Sequence, residues 1–240
     1  MILYRVSLPA ILLVNEAIFK SMVTIMRTIT LILALLGLAI TLSAAGTPAA
    51  KIHRVFDINR SGDTIGTETV DIEQQDDTIT VKAKTDVSVK ILFVEAYRYE
   101  LSSNEVWKNG QLIAFKSRTN DNGTKHSVEV TAANDKLSME ADGKHSDLPK
   151  SVVPASLCRN ETLRSPDAFE PDTGNRLSLK ITDLGTDSVT VNGITYQAHH
   201  YKIADTLKGA YMRELWYDGD MLVRSKLLGS DNSVVLTELR

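Results

Sequence analysis

The side chains that could carry out chemistry are histidines, carboxylates and aromatic residues scattered along the chain. The five histidines are His53, His126, His145, His199 and His200. A metal site would need several histidines to converge with carboxylates, but His199 and His200 are adjacent in a predicted strand, Tyr196 to Ile203. Neighbouring side chains of a strand point to opposite faces. We therefore predict no metal site.

Sequence motifs that identify an enzyme class are missing from the chain. There is no nucleophile elbow, P-loop, dinucleotide fingerprint or HExxH motif, so the enzymes that these motifs identify are excluded, and we expect no cofactor. A hydrolase built from distant strands stays open as an alternative, with Glu95, Glu100 or Glu214 beside His200 or Tyr217. A histidine and a carboxylate about 2.6 to 3.2 Å apart in a cleft would favour it.

Aromatic residues gather in two stretches of the chain, at positions 93–107 and 211–217. One interpretation is packing in the core and on the sheet faces. The other is the wall of an apolar cavity between a curved sheet and a proline-rich segment, because ligand sites are concave and mainly apolar. The second interpretation gives six candidate ligand-binding residues: Phe93, Tyr97, Tyr99, Trp107, Trp216 and Tyr217.

The elements that must position these residues are β-strands. Thr78 to Ile91 alternates between apolar and polar residues, which is typical of an antiparallel sheet with one covered face. Shorter stretches repeat this pattern, and five dipeptides indicate hairpin turns: Asn109-Gly110, Asn122-Gly123, Asp142-Gly143, Asn192-Gly193 and Asp218-Gly219. We predict a mainly β fold, a single curved antiparallel meander sheet that forms a half-barrel or open barrel.

Two segments depart from the alternating pattern. Ile91 to Val94 holds four consecutive apolar residues, for which a bulge, a buried crossing or a loop folded over the sheet would fit. Leu148 to Gly174 contains four prolines and is predicted to be a long connection with one short helix around Cys158 to Leu163. Connections of that length are often functional or mobile.

The N-terminal region has the pattern of an export signal. Arg27 precedes an uncharged apolar core, Ile29 to Leu42, and small residues follow at 43–45, so residues 26–45 are predicted to be a signal peptide. The core is shorter than the roughly 20 residues that span a membrane, which makes a permanent anchor the lesser alternative. Residues 1–25 are interpreted as a misassigned upstream start, or alternatively as an amphipathic leader helix.

The remaining residues, 46–240, are predicted to form a single β-rich domain, periplasmic or secreted. Without residues 1–45 the chain has 24 basic residues (27 − 3) and 29 acidic residues (30 − 1), a net charge of −5. This balance argues against nucleic acid or an anionic membrane surface as a partner. Cys158 is the single cysteine, so no intramolecular disulfide can form, and a small buried residue is the preferred interpretation.

Three stretches carry a resemblance to a known family: NEVWKNGQLIAFKSRTNDNGT from Asn104, LPKSVVPASLC from Leu148 and ELWYDGDMLVRSKLLGSDNSVVLTEL from Glu214. Together they resemble an uncharacterised family of exported bacterial proteins, known as a domain of unknown function. The resemblance implies a location outside the cytoplasm and a curved antiparallel sheet, and it implies no catalytic residues. More loosely, the layout is similar to the half-barrel of periplasmic lipoprotein carriers, although fold does not fix function.

These observations favour a non-enzymatic envelope protein whose concave sheet face binds an apolar, lipid-like ligand or a partner protein segment. Two alternatives stay open. One is an envelope hydrolase that uses the histidine and carboxylate groups on the same face. The other is a structural or assembly role through an exposed sheet edge, which a long unpaired edge strand without lysine or proline would support.

Overall fold

The computed structural model describes residues 49–207, 209, 211–229 and 231–240. The predicted signal peptide and the residues before it lie outside this part of the chain. The described residues form fifteen strands: β1 Ala50–Arg60, β2 Asp63–Gln75, β3 Thr78–Ile91, β4 Val94–Lys108, β5 Gln111–Asp121, β6 Thr124–Ala133, β7 Lys136–Ala141, β8 Lys144–Pro149, β9 Val153–Pro154, β10 Asp167–Phe169, β11 Arg176–Val191, β12 Ile194–Asp205, β13 Met212–Asp218, β14 Met221–Leu228 and β15 Val234–Leu239.

The strands make one open, curved sheet in the order β8-β7-β6-β5-β4-β3-β2-β1-β15-β14-β13-β12-β11-β10-β9. Every neighbouring pair is antiparallel except β9 and β10, which are parallel. The last strand returns to pair with the first, with Phe56 opposite Leu239. The predicted fold class, a curved antiparallel meander, is confirmed. No helix in the described part of the chain is long and apolar enough to cross a membrane.

Two-residue turns with left-handed backbone conformation join most of the hairpins. Asn109 and Gly110, for example, have φ angles of 50° and 74° between β4 and β5, as the Asn-Gly dipeptide predicts. The segment Ile91 to Val94 is the exception that the sequence did not reveal. Leu92 and Phe93, with φ angles of 48° and 70°, form the turn between β3 and β4.

The expectations of a buried crossing and of a folded-over loop at Ile91 to Val94 are therefore wrong, whereas the pairing of β3 with β4 is irregular directly beside the segment, between Val89 and Lys90. Leu92 and Phe93 are 87% and 100% exposed, so the run of apolar residues is a hairpin tip rather than a buried element. Bulky residues rarely adopt positive φ, because the Cβ atom then approaches the following carbonyl oxygen. Without Gly, Asn or Asp, the dipeptide carries no turn signal.

The proline-rich connection packs into the concavity of the sheet. It contains β9, a short 3₁₀ helix at Asn160–Arg164 and β10, which agrees with the predicted short helix. Phe169 packs edge-on against Phe115 of β5, with 5.0 Å between the ring centroids. Tyr217 donates a hydrogen bond to the Leu157 carbonyl at 2.9 Å. The connection thus supplies much of the core that covers the inner face.

The buried hydrophobic residues that the structure describes form two clusters, one on each face of the sheet. The larger cluster lies on the inner, concave face and includes residues of the connection. The smaller cluster lies on the outer face where β11 to β14 pair, and consists of Val189, Val191, Ala198, Trp216 and Val223. Alternate residues of β13 therefore belong to different clusters: Leu215 and Tyr217 lie on the concave face, and Trp216 lies on the outer face.

Candidate functional site

A cavity of about 660 Å³ remains on the concave face where the connection does not fill it. Strands β1 to β4 and β13 to β15 form its walls, and residues 155–158 and 170–172 of the connection close it on another side. Most of the wall is aliphatic, with side chains such as Ile58, Val87, Leu222 and Val235. These residues are on the inward phase of the alternating strands, which is why the wall is apolar.

The twist of the sheet beside the cavity depends on Gly66 of β2. Gly66 is paired with Val87 of β3, and a Cβ atom at position 66 would lie 2.2 Å from the Asp86 carbonyl oxygen. No side chain fits at that distance. The register of β1 against β2 shifts nearby, between Ile58 and Asn59, and such irregularities increase the local bend of a sheet. Glycine therefore allows β2 and β3 to curve around the cavity.

A few polar groups enter this apolar wall from opposite sides. Arg213 and Tyr211 come from the β13 side, Tyr99 from β4, Glu68 from β2 and Asp172 from the connection. The Arg213 guanidinium carbon lies 5.0 Å from the centroid of the Tyr211 ring, which is a cation–π arrangement. Among the described residues, neither Nε of Arg213 nor the buried Tyr211 hydroxyl has a hydrogen-bond partner.

Glu68 is a carboxyl group in a poorly solvated position. Burial raises the pKa of Glu68 to about 7, and the positive charge of Arg213 opposes this rise without cancelling it. Burial also raises the pKa of Asp172, and the neighbouring Glu170 raises it further. A carboxyl group that is removed from water favours its neutral form. The cavity therefore reduces the negative charge of Glu68 near neutral pH and shifts the pKa of Asp172 in the same direction.

The tyrosine hydroxyls in the cavity stay protonated. Burial is the main cause that raises the pKa of Tyr97 to about 12, with Asp121 adding to it. Burial likewise raises the pKa of Tyr99 well above its ordinary value. Neutral phenol groups can donate hydrogen bonds to a ligand.

One other pair of charges lines the cavity, and it is already neutralised. Arg60 of β1 forms an ion pair with Asp231 in the β14–β15 turn and also donates a hydrogen bond from Nε to Ser233 at 2.8 Å. Asp231 accepts further hydrogen bonds from Ser233, which together with Arg60 lower its pKa to about 2. This pair ties the first strand to the last turn and has its hydrogen-bond partners within the protein.

Two of the six predicted ligand-binding residues line the cavity, Tyr97 and Tyr99. Phe93 is at the exposed hairpin tip. Trp107 is buried in the core, where its Nε1 donates to Glu105 at 2.8 Å, and Tyr217 is buried against the connection. The structure does not bring the six residues together in one place, because strand alternation and the depth of the connection separate them.

Trp216 lies on the outer face, stacked on His200 with 4.1 Å between ring centroids. His200 contacts Asp187 at 2.8 Å and Glu214 at 3.2 Å, so a histidine with carboxylates does exist. It is flanked by Trp216 on the outside of the sheet, away from the cavity lining. The hydrolase candidates are therefore not gathered on the concave face.

The other acidic groups proposed for a hydrolase are engaged in surface ion pairs. Glu100 contacts Arg98 at 2.8 Å, and Glu95 lies 3.8 Å from the same guanidinium. In the part of the chain that the structure describes, no three His, Cys, Asp or Glu side chains are grouped to hold a metal ion. Cys158 is buried, and burial raises the pKa of its thiol well above the ordinary value, which makes it a poor nucleophile.

Glu68, Tyr211 and Arg213 are site residues that sequence reasoning missed. The signal was present in the alternation of each strand. Glu68 shares the inward phase of β2 with Val70, and Arg213 shares the inward phase of β13 with Leu215. A charged residue at an otherwise apolar position of a strand marks either a buried interaction or a functional group.

Comparisons with known proteins identify the family but no activity. Residues 56–237 match the model of a domain of unknown function, DUF6134, and the chain belongs to this family. The crystal structure of a β-barrel-like protein of the domain of unknown function DUF1849, from Brucella abortus, is similar in fold. Its TM-score is 0.58 at 8% sequence identity, and the match covers 82% of this chain and 98% of that one. No curated protein matches the sequence.

Proposed function

We propose that this member of the family is a non-enzymatic binding protein that holds an apolar or amphipathic small molecule in the concave cavity. The observation that carries the proposal is the cavity itself. Its volume of about 660 Å³ lies within the range of roughly 300 to 1,000 Å³ that is common for ligand pockets. An aliphatic wall with a few inward polar groups is the usual composition of such a pocket.

The position of the cavity on rigid elements supports binding as its purpose. Its walls are hydrogen-bonded strands from both ends of the sheet, held together by the pairing of β1 with β15. The connection covers the rest of the concave face with well-packed residues such as Phe169, which is fully buried. A concavity that is filled in one part and open in another supports the proposal of a preformed ligand site.

The two alternative functions have less support. A hydrolase would need its histidine and carboxylate beside the bound molecule, whereas His200 and Glu214 lie on the outer face. A role through edge pairing would need a long edge strand without lysine or proline. The edge strand β8 has six residues with Lys144 and Pro149 at its ends, and the other edge strand has two residues.

The proposal includes the location outside the cytoplasm that the predicted signal peptide implies. In the periplasm or outside the cell, a protein that shields an apolar molecule from water would let that molecule cross an aqueous space. A buried thiol and a net negative charge, which does not favour anionic surfaces, are compatible with this role.

Native mass spectrometry of the protein, purified from its own kind of host, tests the proposal. A small molecule that is present before organic extraction and absent afterwards supports it. The variant Val89→Trp, whose side chain would enter the cavity, should lose that mass. Lys90→Trp, one residue along β3 on the opposite face, should keep it.

A bare polypeptide mass in every sample, or a ligand that Val89→Trp retains at the wild-type level, contradicts the proposal. A bound peptide instead of a small molecule would show that the occupant is a partner segment.

A further inference from the structure

We infer that the ligand is an amphiphile with an anionic head group, and that Arg213 binds this head group inside the cavity. The inference rests on the proposed function and adds the chemical class of the ligand. It starts from the guanidinium of Arg213, which the strand alternation of β13 directs inward among apolar residues.

Arg213 lacks the partners that a guanidinium in a protein interior normally has. Its Nε is buried and has no hydrogen-bond acceptor in the described part of the chain. No carboxylate there lies within 4.0 Å of its guanidinium, the distance that defines an ion pair. The Tyr211 ring contacts it at 5.0 Å through its face, and a ring face supplies no oxygen acceptor for the buried Nε–H. A buried donor without an acceptor is unfavourable, so the site is incomplete.

The two arginines that line the cavity, Arg60 and Arg213, differ in their partners. Arg60 is neutralised by Asp231 and bonded to Ser233, and it needs no ligand. Arg213 has its positive charge available. A carboxylate or a phosphate can bind a guanidinium through two parallel hydrogen bonds, which fits the planar fork of this residue.

The acidic groups that face Arg213 would oppose an anion if they were all ionised. They are Glu68 on β2 and Asp172 and Glu170 on the connection. Burial favours the neutral forms of Glu68 and Asp172. Glu170 accepts hydrogen bonds from Thr173 at 2.6 Å and from Asn175 at 2.9 Å, so donors other than Arg213 stabilise its negative charge.

The arrangement therefore suits an anion when Glu68 is protonated. The hydroxyls of Tyr99 and Tyr211 add two neutral groups that can donate to the same head group. The aliphatic wall, with Ile58, Val87 and Leu227 among its members, provides the surface for the apolar part of the molecule. The head group is then held in the concavity of the sheet, and the apolar part of the ligand lies along β1 to β3 and β14.

Four probes with the same alkyl chain separate the head groups: dodecanoate, dodecyl phosphate, dodecanol and dodecyltrimethylammonium. Their dissociation constants are measured by isothermal titration calorimetry with the purified protein, below the concentration at which each probe forms micelles. A charge-assisted hydrogen bond predicts that an anion binds about 10- to 100-fold more tightly than the alcohol. The two anions distinguish a carboxylate from a phosphate head group.

Variants assign the preference to Arg213. Arg213→Gln should reduce the anion-to-alcohol ratio to about one while it keeps the affinity for dodecanol. Arg118→Gln, which changes an exposed arginine of β5, should leave the ratio unchanged. The pH gives a second signature. Dodecanoate should bind several-fold more weakly at pH 8 than at pH 6 because ionised Glu68 repels it, and Glu68→Gln should remove this difference.

The possible failures are distinguishable. If dodecanol and the cation bind as tightly as the anions, the inference about the head group is wrong and the proposed binding function stands. If none of the four probes binds, both are contradicted. If Arg213→Gln does not fold, the comparison of the four probes on the wild-type protein still decides the inference.

Discussion

The ionisation of Glu68 makes a strong prediction about the stability of the protein. The pKa of Glu68 rises from 4.5 to about 7 in the folded state. Between these two values the unfolded chain releases the proton and the folded protein retains it. The folded state therefore loses stability as the pH rises through this interval, and the loss levels off above pH 7.

The size of the effect follows from the same rise. At about 1.36 kcal/mol per pH unit, a pKa that is raised from 4.5 to about 7 corresponds to roughly 3 kcal/mol. This is an upper bound, because Glu68 is only half-buried and faces a cavity that is large enough for water. We expect about 1 to 3 kcal/mol in the ligand-free protein.

The variant Glu68→Gln removes the ionisable group and keeps the shape of the side chain. Its free energy of unfolding should equal that of the wild type within about 0.5 kcal/mol at pH 4.5 and exceed it by about 1 to 3 kcal/mol at pH 8. Urea unfolding measures this difference, with the fluorescence of Trp107 and Trp216 as the signal. Other titrating groups are common to both proteins and cancel.

Glu73→Gln is the matched control, since Glu73 lies on the same strand with an exposed side chain near Lys51. It should change the free energy of unfolding by less than about 1 kcal/mol, with little dependence on pH. A Glu68→Gln variant that is equally stable to the wild type at both pH values would refute the reasoning, because Glu68 would then have the same proton affinity in the folded and unfolded states.

Two further predictions concern backbone conformation. Replacing Leu92 with Asn and Phe93 with Gly should stabilise the protein by about 1 to 2 kcal/mol, because positive φ is unfavourable for bulky residues. Urea unfolding measures this change. A loss of stability would show that the side chains at the hairpin tip make stabilising contacts. Gly66→Ala should destabilise the folded protein by more than about 2 kcal/mol, since the new Cβ would lie 2.2 Å from the Asp86 carbonyl oxygen. An unchanged midpoint of urea unfolding would mean that β2 can shift away from this contact without loss of stability.

The sequence was sufficient to predict the strands and their antiparallel pairing, because both depend on local patterns. The alternation from Thr78 to Ile91 coincides with β3, and Asn-Gly dipeptides occur at hairpin turns with positive φ. The pairing of β15 with β1 has no such local signal. It joins residues about 180 positions apart, and it depends on the curvature of the whole sheet.

The candidate site was harder to predict, because its residues must lie on the concave face of the sheet and also in the part of that face that the connection leaves open. Tyr97 and Trp107 share the inward phase of β4, yet Tyr97 lines the cavity and Trp107 is buried in the core. Only the path of the connection through the concavity separates the two positions. Aromatic content predicted a binding surface, whereas two charged residues at inward positions of their strands, Glu68 and Arg213, mark the part of the concavity that the cavity occupies.

The same two residues link stability to ligand binding. A buried guanidinium without an acceptor and a carboxyl group that resists ionisation both lower the stability of the ligand-free protein near neutral pH. An anionic head group would give Arg213 its acceptor and, by its charge, raise the pKa of Glu68 further, so that binding takes up a proton when the pH is above that pKa. The ligand should therefore stabilise the protein against unfolding by RT ln(1 + L/Kd), where L is the free ligand concentration, and it should do so less at pH 8 than at pH 6. A neutral amphiphile of the same length would stabilise it without this pH dependence.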